Sequence, residues 1–148
     1  MVEIPELVRE KLREPSFWQF VTINRDGSPT ATPVWADVDG EHVLVNTAIG
    51  RLKERNVRRD QRVALAMVVL DEPYTWIEIR GRVVEFLEGQ PADDSIDFLA
   101  GKYLDLPRYA SRKPGERRVL LRIEPTFVNY RTEGGSRPDL LREKLAAE

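Results

Sequence analysis

The sequence predicts a mainly β protein, a closed or nearly closed antiparallel barrel of six or seven strands with a few flanking helices. Three observations carry this. Short apolar runs recur along the 148 residues with turn residues between them. Asn24-Arg25-Asp26-Gly27-Ser28 and Asp39-Gly40 join the first three runs as tight turns, the signature of an antiparallel meander. The helical segments are too few and too badly placed to cross over between parallel strands.

Residues 4–13 read as a helix, because Ile4, Leu7, Val8 and Leu12 recur at helical spacing and Pro5 suits a first turn. Strands are predicted at Phe17–Asn24, Thr30–Val38 and His42–Asn46. Pro33 removes a ladder donor, so the second of these belongs at an edge or is locally irregular. Gly50–Asp60 is too polar for a central strand and reads as a helix. Val63–Leu70 is a buried strand, and Asp71-Glu72-Pro73 breaks it. Thr75–Leu87 is a long strand in which Gly81 marks a bulge or bend. A helix follows at about 93–104, with Asp93, Asp94 and Asp97 near its start as a cap favourable to the helix dipole. Residues 105–117 form a loop, Val119–Ile123 a strand and Phe127–Tyr130 a further one. After Gly134-Gly135, residues 138–147 form a last helix. The whole chain, 1–148, is expected to be one domain, with an N-terminal helical segment at 1–16 and a C-terminal tail or helix at 132–148.

Hydrophobic residues make up 41% of the chain, which excludes the disordered class. No apolar run approaches the ~18 residues that span a bilayer, and the acidic start Met-Val-Glu-Ile-Pro-Glu lacks a signal peptide's character. The protein is therefore expected in the cytoplasm, without membrane association. There is no cysteine, so disulfides, thiolate metal sites and thiol redox chemistry are ruled out. With a single histidine as well, neither nucleophilic triads nor His-based metal sites are easily built, and no metal is expected. Any redox chemistry must then sit on a cofactor.

The net charge is −2, but residues 51–62 hold six basic residues (Arg51, Lys53, Arg55, Arg58, Arg59, Arg62) against Glu54 and Asp60. That local +4 leaves −6 for the rest, which suits a discrete anionic ligand better than nucleic acid. Within Val45–Val57 a strand ends in small polar residues, passes Gly50 and enters the basic helix. Unpaired N–H groups at such a helix start receive phosphate well. Thr47 can add a hydroxyl, and Arg51 and Lys53 full charges. The same pattern also fits a surface helix kept soluble by arginines.

Thr32-Pro33-Val34-Trp35 is the second candidate segment: irregular backbone there leaves amides free for a planar ring, and Trp35 lines the same pocket or packs in the core. In Tyr74–Val83, alternation puts Trp76, Glu78 and Arg80 on one face and Ile77 and Ile79 on the other. The charged face meets a ligand or partner, or carries an exposed ion pair. His42 follows a turn and is expected to be exposed.

These segments together resemble the pyridoxamine 5'-phosphate oxidase-like family, and within it the branch of coenzyme F420-dependent enzymes. The carriers are Phe20-Val21-Thr22-Ile23, Asp26-Gly27-Ser28-Pro29, Thr32-Pro33-Val34-Trp35, Asn46-Thr47-Ala48, Gly50-Arg51-Leu52-Lys53, Arg55-Asn56, Asp60-Gln61-Arg62-Val63, Pro73-Tyr74 and Ile79–Val83. Lys102-Tyr103-Leu104 and the Arg117–Ile123 strand extend the likeness to about residues 7–130. The resemblance implies a split β-barrel that forms a homodimer with cofactors in clefts between subunits. It implies a cofactor site made by Thr32, Pro33, Val34, Trp35, Asn46, Thr47, Ala48, Gly50, Arg51, Lys53, Asn56 and Trp76. Pro33 to Trp35 would run along the ring, while Asn46, Thr47, Arg51 and Lys53 hold the ribityl chain and phosphate. Trp76, contributed by the other subunit, stands where FMN-binding relatives carry a polar ring contact, which counts against FMN. Leu52 stands where a basic residue is common, and Arg51 supplies that charge one position earlier.

The expected activity is therefore that of an F420-dependent reductase passing a hydride to an electron-poor small organic acceptor. No side chain is marked as catalytic; Tyr74, Tyr103, Tyr109 and the basic stretch Arg108–Lys113 belong on the substrate side. The alternatives are an FMN-binding oxidase or reductase of the same fold, and a protein that binds a flavin or other planar anion without turnover.

Overall fold

Seven antiparallel strands and four helices make up the chain in a computed structural model that describes residues 1–132 and 138–148. The strands are β1 (Trp18–Ile23), β2 (Pro29–Val34), β3 (Ala36–Asp39), β4 (His42–Ala48), β5 (Arg62–Val69), β6 (Glu72–Glu88) and β7 (Arg118–Arg131). The helices are α1 (Glu6–Arg13), α2 (Leu52–Arg59), α3 (Gln90–Leu104) and α4 (Pro138–Ala146). All seven strands lie in one sheet, ordered β2-β1-β5-β6-β7-β4-β3.

The two ends of that order are consecutive in the chain, separated by Trp35 alone. The sheet therefore curls until its edges meet at one residue, which gives the split barrel. The run expected as one strand, Thr30–Val38, is two: β2 pairs with β1, and β3 pairs with β4. Its apolar alternation is continuous through the bend, so the pattern carries no mark of the change of partner. Pro33 lies on an edge strand, as a residue without an N–H requires.

Alternation fills the interior. Trp18 and Phe20 from β1, Leu65 from β5, Ile77 and Ile79 from β6, and Leu121 and Ile123 from β7 are all essentially inaccessible. Ile4 precedes α1, whose inner face adds Val8 and Leu12 to the same core. Val2 N–H donates to Pro125 C=O at 3.1 Å and Ile4 N–H to Glu41 Oε2 at 2.8 Å, tying the N-terminal segment down.

The bulge expected at Gly81 is present, with the β6–β7 register shifting between Arg80 and Gly81. A Cβ at Gly81 would lie 2.5 Å from the Glu124 carbonyl oxygen, so the strands approach too closely there for any side chain. Pro125 faces Gly81 at this irregularity. Hence Val119–Ile123 and Phe127–Tyr130 are not separate strands but parts of β7. Similarly, β6 begins at Glu72 and runs through Pro73, so the break is confined to Leu70-Asp71.

Helix α3 starts at Gln90, three residues before its expected start, with Gly89 at the N-cap and Pro91 in the first turn. Asp93 and Asp94 are thus inside the helix and do not cap it. Leu104, the last residue of the helix, is exposed, whereas Ile96, Leu99 and Ala100 are buried. The terminal helix is present as α4, while Gly134-Gly135 lie outside the described residues. No helix among the described residues is long and apolar enough to cross a membrane.

Candidate cofactor-binding site

The bend at Trp35 is clamped from α3. The Tyr103 hydroxyl donates to Ser16 C=O at 2.5 Å and accepts from Ala36 N–H at 3.1 Å. Lys102 Nζ donates to Leu12 C=O at 2.5 Å and Ala36 C=O at 2.6 Å, with Asp37 Oδ1 3.8 Å away. Burial lowers the Lys102 pKa, against the pull of Asp37, and raises that of Tyr103. Both residues engage the Ala36 backbone just after the bend and tie it to carbonyls at the end of α1 and before β1.

The clamp also builds an aromatic wall. Phe17 and Tyr103 ring centroids are 5.6 Å apart, and Trp35 stacks on Tyr103 at 5.1 Å. Tyr109 meets the Trp35 ring edge-on at 6.3 Å. Tyr109 is positioned by the misassigned aspartates: its N–H donates to Asp97 Oδ1 at 2.9 Å, and Arg112 reaches Asp93 at 2.8 Å. These bonds hold the 105–117 loop against α3.

Opposite the wall sits a cationic cluster. Arg51 caps α2, which has no side-chain cap of its own, and Lys53 lies in the first turn. Gly50, at φ 95°, makes the turn from β4 into α2. Glu54 then reaches back, accepting from Gly50 N–H at 3.0 Å and from Arg58 Nε at 2.9 Å. Arg118, at the start of β7, is buried; its Nε donates to Asn46 Oδ1 at 2.9 Å and its guanidinium lies 5.2 Å from the Tyr109 centroid. Asn46 Nδ2 donates to Ala92 C=O at 2.8 Å, joining β4 to α3.

Pro33, Val34, Trp35, Asn46, Arg51 and Lys53 line one cavity of about 300 Å³ with Phe17, Ile96, Leu99, Tyr109 and Arg118. Lys53 makes no hydrogen bond or ion pair among the described residues, and burial, then Arg51 and Arg118, hold its pKa below the ordinary 10.5. Two guanidiniums, Arg51 and Arg118, beside the Lys53 ammonium, which has no partner among the described residues, form an anion site, and the wall beside it suits a flat ring. The residues present therefore fit a cofactor with a planar head and a phosphorylated tail.

Other expected site residues lie elsewhere. Thr32 is half-buried on β2 opposite Phe20. Ala48 is buried at the end of β4. Thr47 shares the inward face of β4 with Val43 and Val45, and its buried hydroxyl has no partner among the described residues. Asn56 faces away from the cavity: Nδ2 donates to Thr22 Oγ1 at 3.0 Å and Asn24 Oδ1 at 2.9 Å, pinning α2 to β1. Trp76 sits between Val68 and Arg131 in the sheet, on the outer face and off this chain's own cavity wall. Sequence reasoning missed Phe17, Ile96, Leu99 and Arg118. The signal for Arg118 was Asn46 itself, an amide on an apolar strand that demands a buried partner.

A curled antiparallel barrel with an aromatic wall and a cationic cluster anchored by the buried Arg118 at one cleft defines a receptor of the flavin-binding class. The chain belongs to the pyridoxamine 5'-phosphate oxidase family, whose profile matches residues 4–132 and whose members bind flavins. Among solved structures it is similar to an F420 reductase, at 27% identity and a TM-score of 0.75, over 85% of this chain and 98% of that one. A conserved hypothetical protein of Mycobacterium tuberculosis shares the fold at 22% identity and a TM-score of 0.66, over 92% and 95% of the two chains. General stress protein 26 of Bacillus anthracis shares it at 18% identity and a TM-score of 0.62, over 84% and 91%. No curated protein matches the chain.

Proposed function

We propose that this protein is a cytoplasmic, coenzyme F420-dependent oxidoreductase that works as a homodimer and reduces an electron-poor small organic acceptor. The observation that carries the reading is Lys53, unpartnered among the described residues and held with Arg51 and Arg118 at a cavity also lined by Trp35, whose ring is backed by Tyr103. The likeness to an F420 reductase over nearly the whole of that chain supports the deazaflavin over FMN.

When bound, the deazaflavin supplies a hydride from its central ring carbon. Pro33, Val34 and Trp35 would lie along its ring. Asn46, Arg51, Lys53 and Arg118 would hold its ribityl chain and phosphate, Arg118 being an addition to the expected set. The protein's own contribution is binding, orientation and exclusion of water. Phe17, at 57% exposure, leaves the cleft open on one side. A second copy would close it. Val68 and Phe127 are exposed on the sheet's outer face beside Trp76, with the Arg80 guanidinium 4.5 Å from the Phe127 centroid. That face supports the dimer and a Trp76 contribution from the second subunit.

The test is titration of the purified protein with F420 and separately with FMN, followed by quenching of tryptophan fluorescence and then by hydride transfer from the reduced cofactor. Tighter binding of F420 with turnover is expected. A preference for FMN would move the protein to the FMN-dependent reading, and tight binding without turnover of any acceptor would make it a binding protein.

A further inference from the structure

Glu116 is an acidic side chain set directly against the cationic cluster. One carboxylate oxygen lies 3.4 Å from Arg118 Nη1 and the other 3.5 Å from Arg51 Nη2. Its side chain is 8% exposed, and it does not line the cavity. The chain delivers it there through the turn at Gly115, where Glu116 N–H donates to Lys113 C=O at 3.0 Å. Arg51 and Arg118 thus approach the cavity from two different elements with a carboxylate bridging them from behind. Lys53, without a partner among the described residues, is left to meet a ligand.

The charge count has a chemical consequence. Arg51, Lys53 and Arg118 carry three positive charges, and Glu116 offsets one of them. A buried carboxylate is poorly screened by water and salt, so its repulsion reaches a bound anion. That repulsion scales with the ligand's charge. A phosphodiester carries one negative charge, while a terminal phosphomonoester carries nearly two at neutral pH, its second ionisation lying near pH ~6. Glu116 therefore penalises the monoester about twice as strongly in free energy. The same carboxylate keeps two guanidiniums together in the absence of ligand, so the site holds its shape before the phosphate arrives.

We propose that Glu116 is a specificity-determining residue: a built-in counter-charge behind Arg51 and Arg118 that favours a cofactor with a singly charged phosphodiester tail over one ending in a doubly charged phosphomonoester. The proposal rests on the cavity being a phosphate-binding cofactor site, and the experiment separates the two ideas.

Three 5-deazariboflavin probes share one ring and ribityl chain and carry a free 5'-hydroxyl, a methyl phosphodiester or a phosphomonoester. Their dissociation constants are measured at pH 7.5 by tryptophan quenching for the wild-type 148-residue chain, Glu116→Gln and Glu116→Ala. At a spacing of about 7 Å, with a water-like dielectric setting the lower bound, removing the carboxylate should tighten the diester at least about threefold and the monoester at least about sevenfold. The 5'-hydroxyl probe should be unchanged. General damage to the fold would weaken all three probes together, so the diester-to-monoester ratio within each variant is the readout. A ratio unchanged in both variants, with the wild type still preferring phosphorylated probes, overturns the role of Glu116 and leaves the cofactor site standing. A wild type that binds all three probes equally overturns the phosphate site and this proposal with it.

Discussion

Trp35 and Tyr103 stack with ring centroids 5.1 Å apart and planes 9° from parallel, and the Tyr103 hydroxyl engages the backbone on either side of the pair, at Ser16 and Ala36. One tyrosine thus fixes both the point where the barrel closes and the ring facing the cavity. Tyr103→Phe keeps the stack but leaves the Ala36 N–H and Ser16 C=O without that partner. It should cost about 1–2 kcal/mol of unfolding free energy in urea and change cofactor affinity little. Tyr103→Ala loses the ring as well, should cost about 3 kcal/mol or more, and should alter the near-ultraviolet circular dichroism of Trp35. Equal effects of the two variants would show that the ring contributes nothing beyond its hydroxyl.

Lys53 is placed for binding at the expense of stability. Lys53→Met should weaken F420 binding by about 1.5–3 kcal/mol, because it removes a charge-assisted contact to phosphate. The apo-protein should respond the other way. The folded state holds the Lys53 pKa below its ordinary 10.5, so between the lowered value and 10.5 the unfolded chain binds more protons than the folded one. Stability from this group therefore rises with pH across that window, and the destabilisation is full below it. The melting temperature of Lys53→Met should exceed that of wild type at pH 7, with the gain fading as pH nears 10.5. A variant that melts lower at pH 7 would show that the ammonium has a stabilising partner in the apo-protein.

Much of the fold was legible because turn chemistry is local. Gly27 and Gly40 occupy positive φ where tight turns were expected, and Gly81 marks a real bulge. What escaped notice depends on distant partners. Nothing between Thr30 and Val38 reveals that its halves belong to opposite ends of the sheet order, since that exchange is decided by pairing with β1 and β4. Arg118 is tied to β4 through Asn46, 72 residues away. The misplaced cap of α3 has a simpler cause: Asp93 and Asp94 look like capping residues, whereas Gly89 starts the helix with no side chain to announce it. Asn56 shows the limit of transferring a motif, because its amide is spent on Thr22 and Asn24.

Asn56 accordingly separates anchoring from binding. Asn56→Ala leaves the buried Thr22 hydroxyl without its donor and removes one of the ties between α2 and β1, at an expected cost of about 1–3 kcal/mol in urea unfolding. F420 affinity below the unfolding transition should stay within about threefold of wild type. A tenfold loss of affinity with normal stability would put Asn56 back among the cofactor contacts.

Gly81 tests the bulge. An alanine Cβ would meet the Glu124 carbonyl oxygen at 2.5 Å and Ile123 Cγ2 at 2.9 Å, and the first of these is backbone that cannot swing aside. Gly81→Ala should destabilise the chain by about 2–3 kcal/mol, the usual range for forced overpacking. A melting temperature equal to wild type would mean that β6 and β7 separate freely there.

Trp76 tests the assembly. It is half-buried on the outer face, with Val68 beside it in the register and the Arg80–Phe127 pair four residues along β6. If a second copy packs there and lends Trp76 to the cofactor cleft, a charge at that position is desolvated on association. Trp76→Glu should then shift sedimentation from dimer toward monomer and weaken F420 binding at least tenfold, roughly the loss of one interface anchor. Trp35 belongs to the chain's own cavity wall, so its quenching by saturating F420 should persist in the variant at higher ligand concentration. The two losses should also be coupled, with raised protein concentration restoring the dimer and part of the affinity. A variant that stays dimeric and binds F420 normally removes Trp76 from the site, and one that becomes monomeric with unchanged affinity shows that a single chain holds the cofactor by itself.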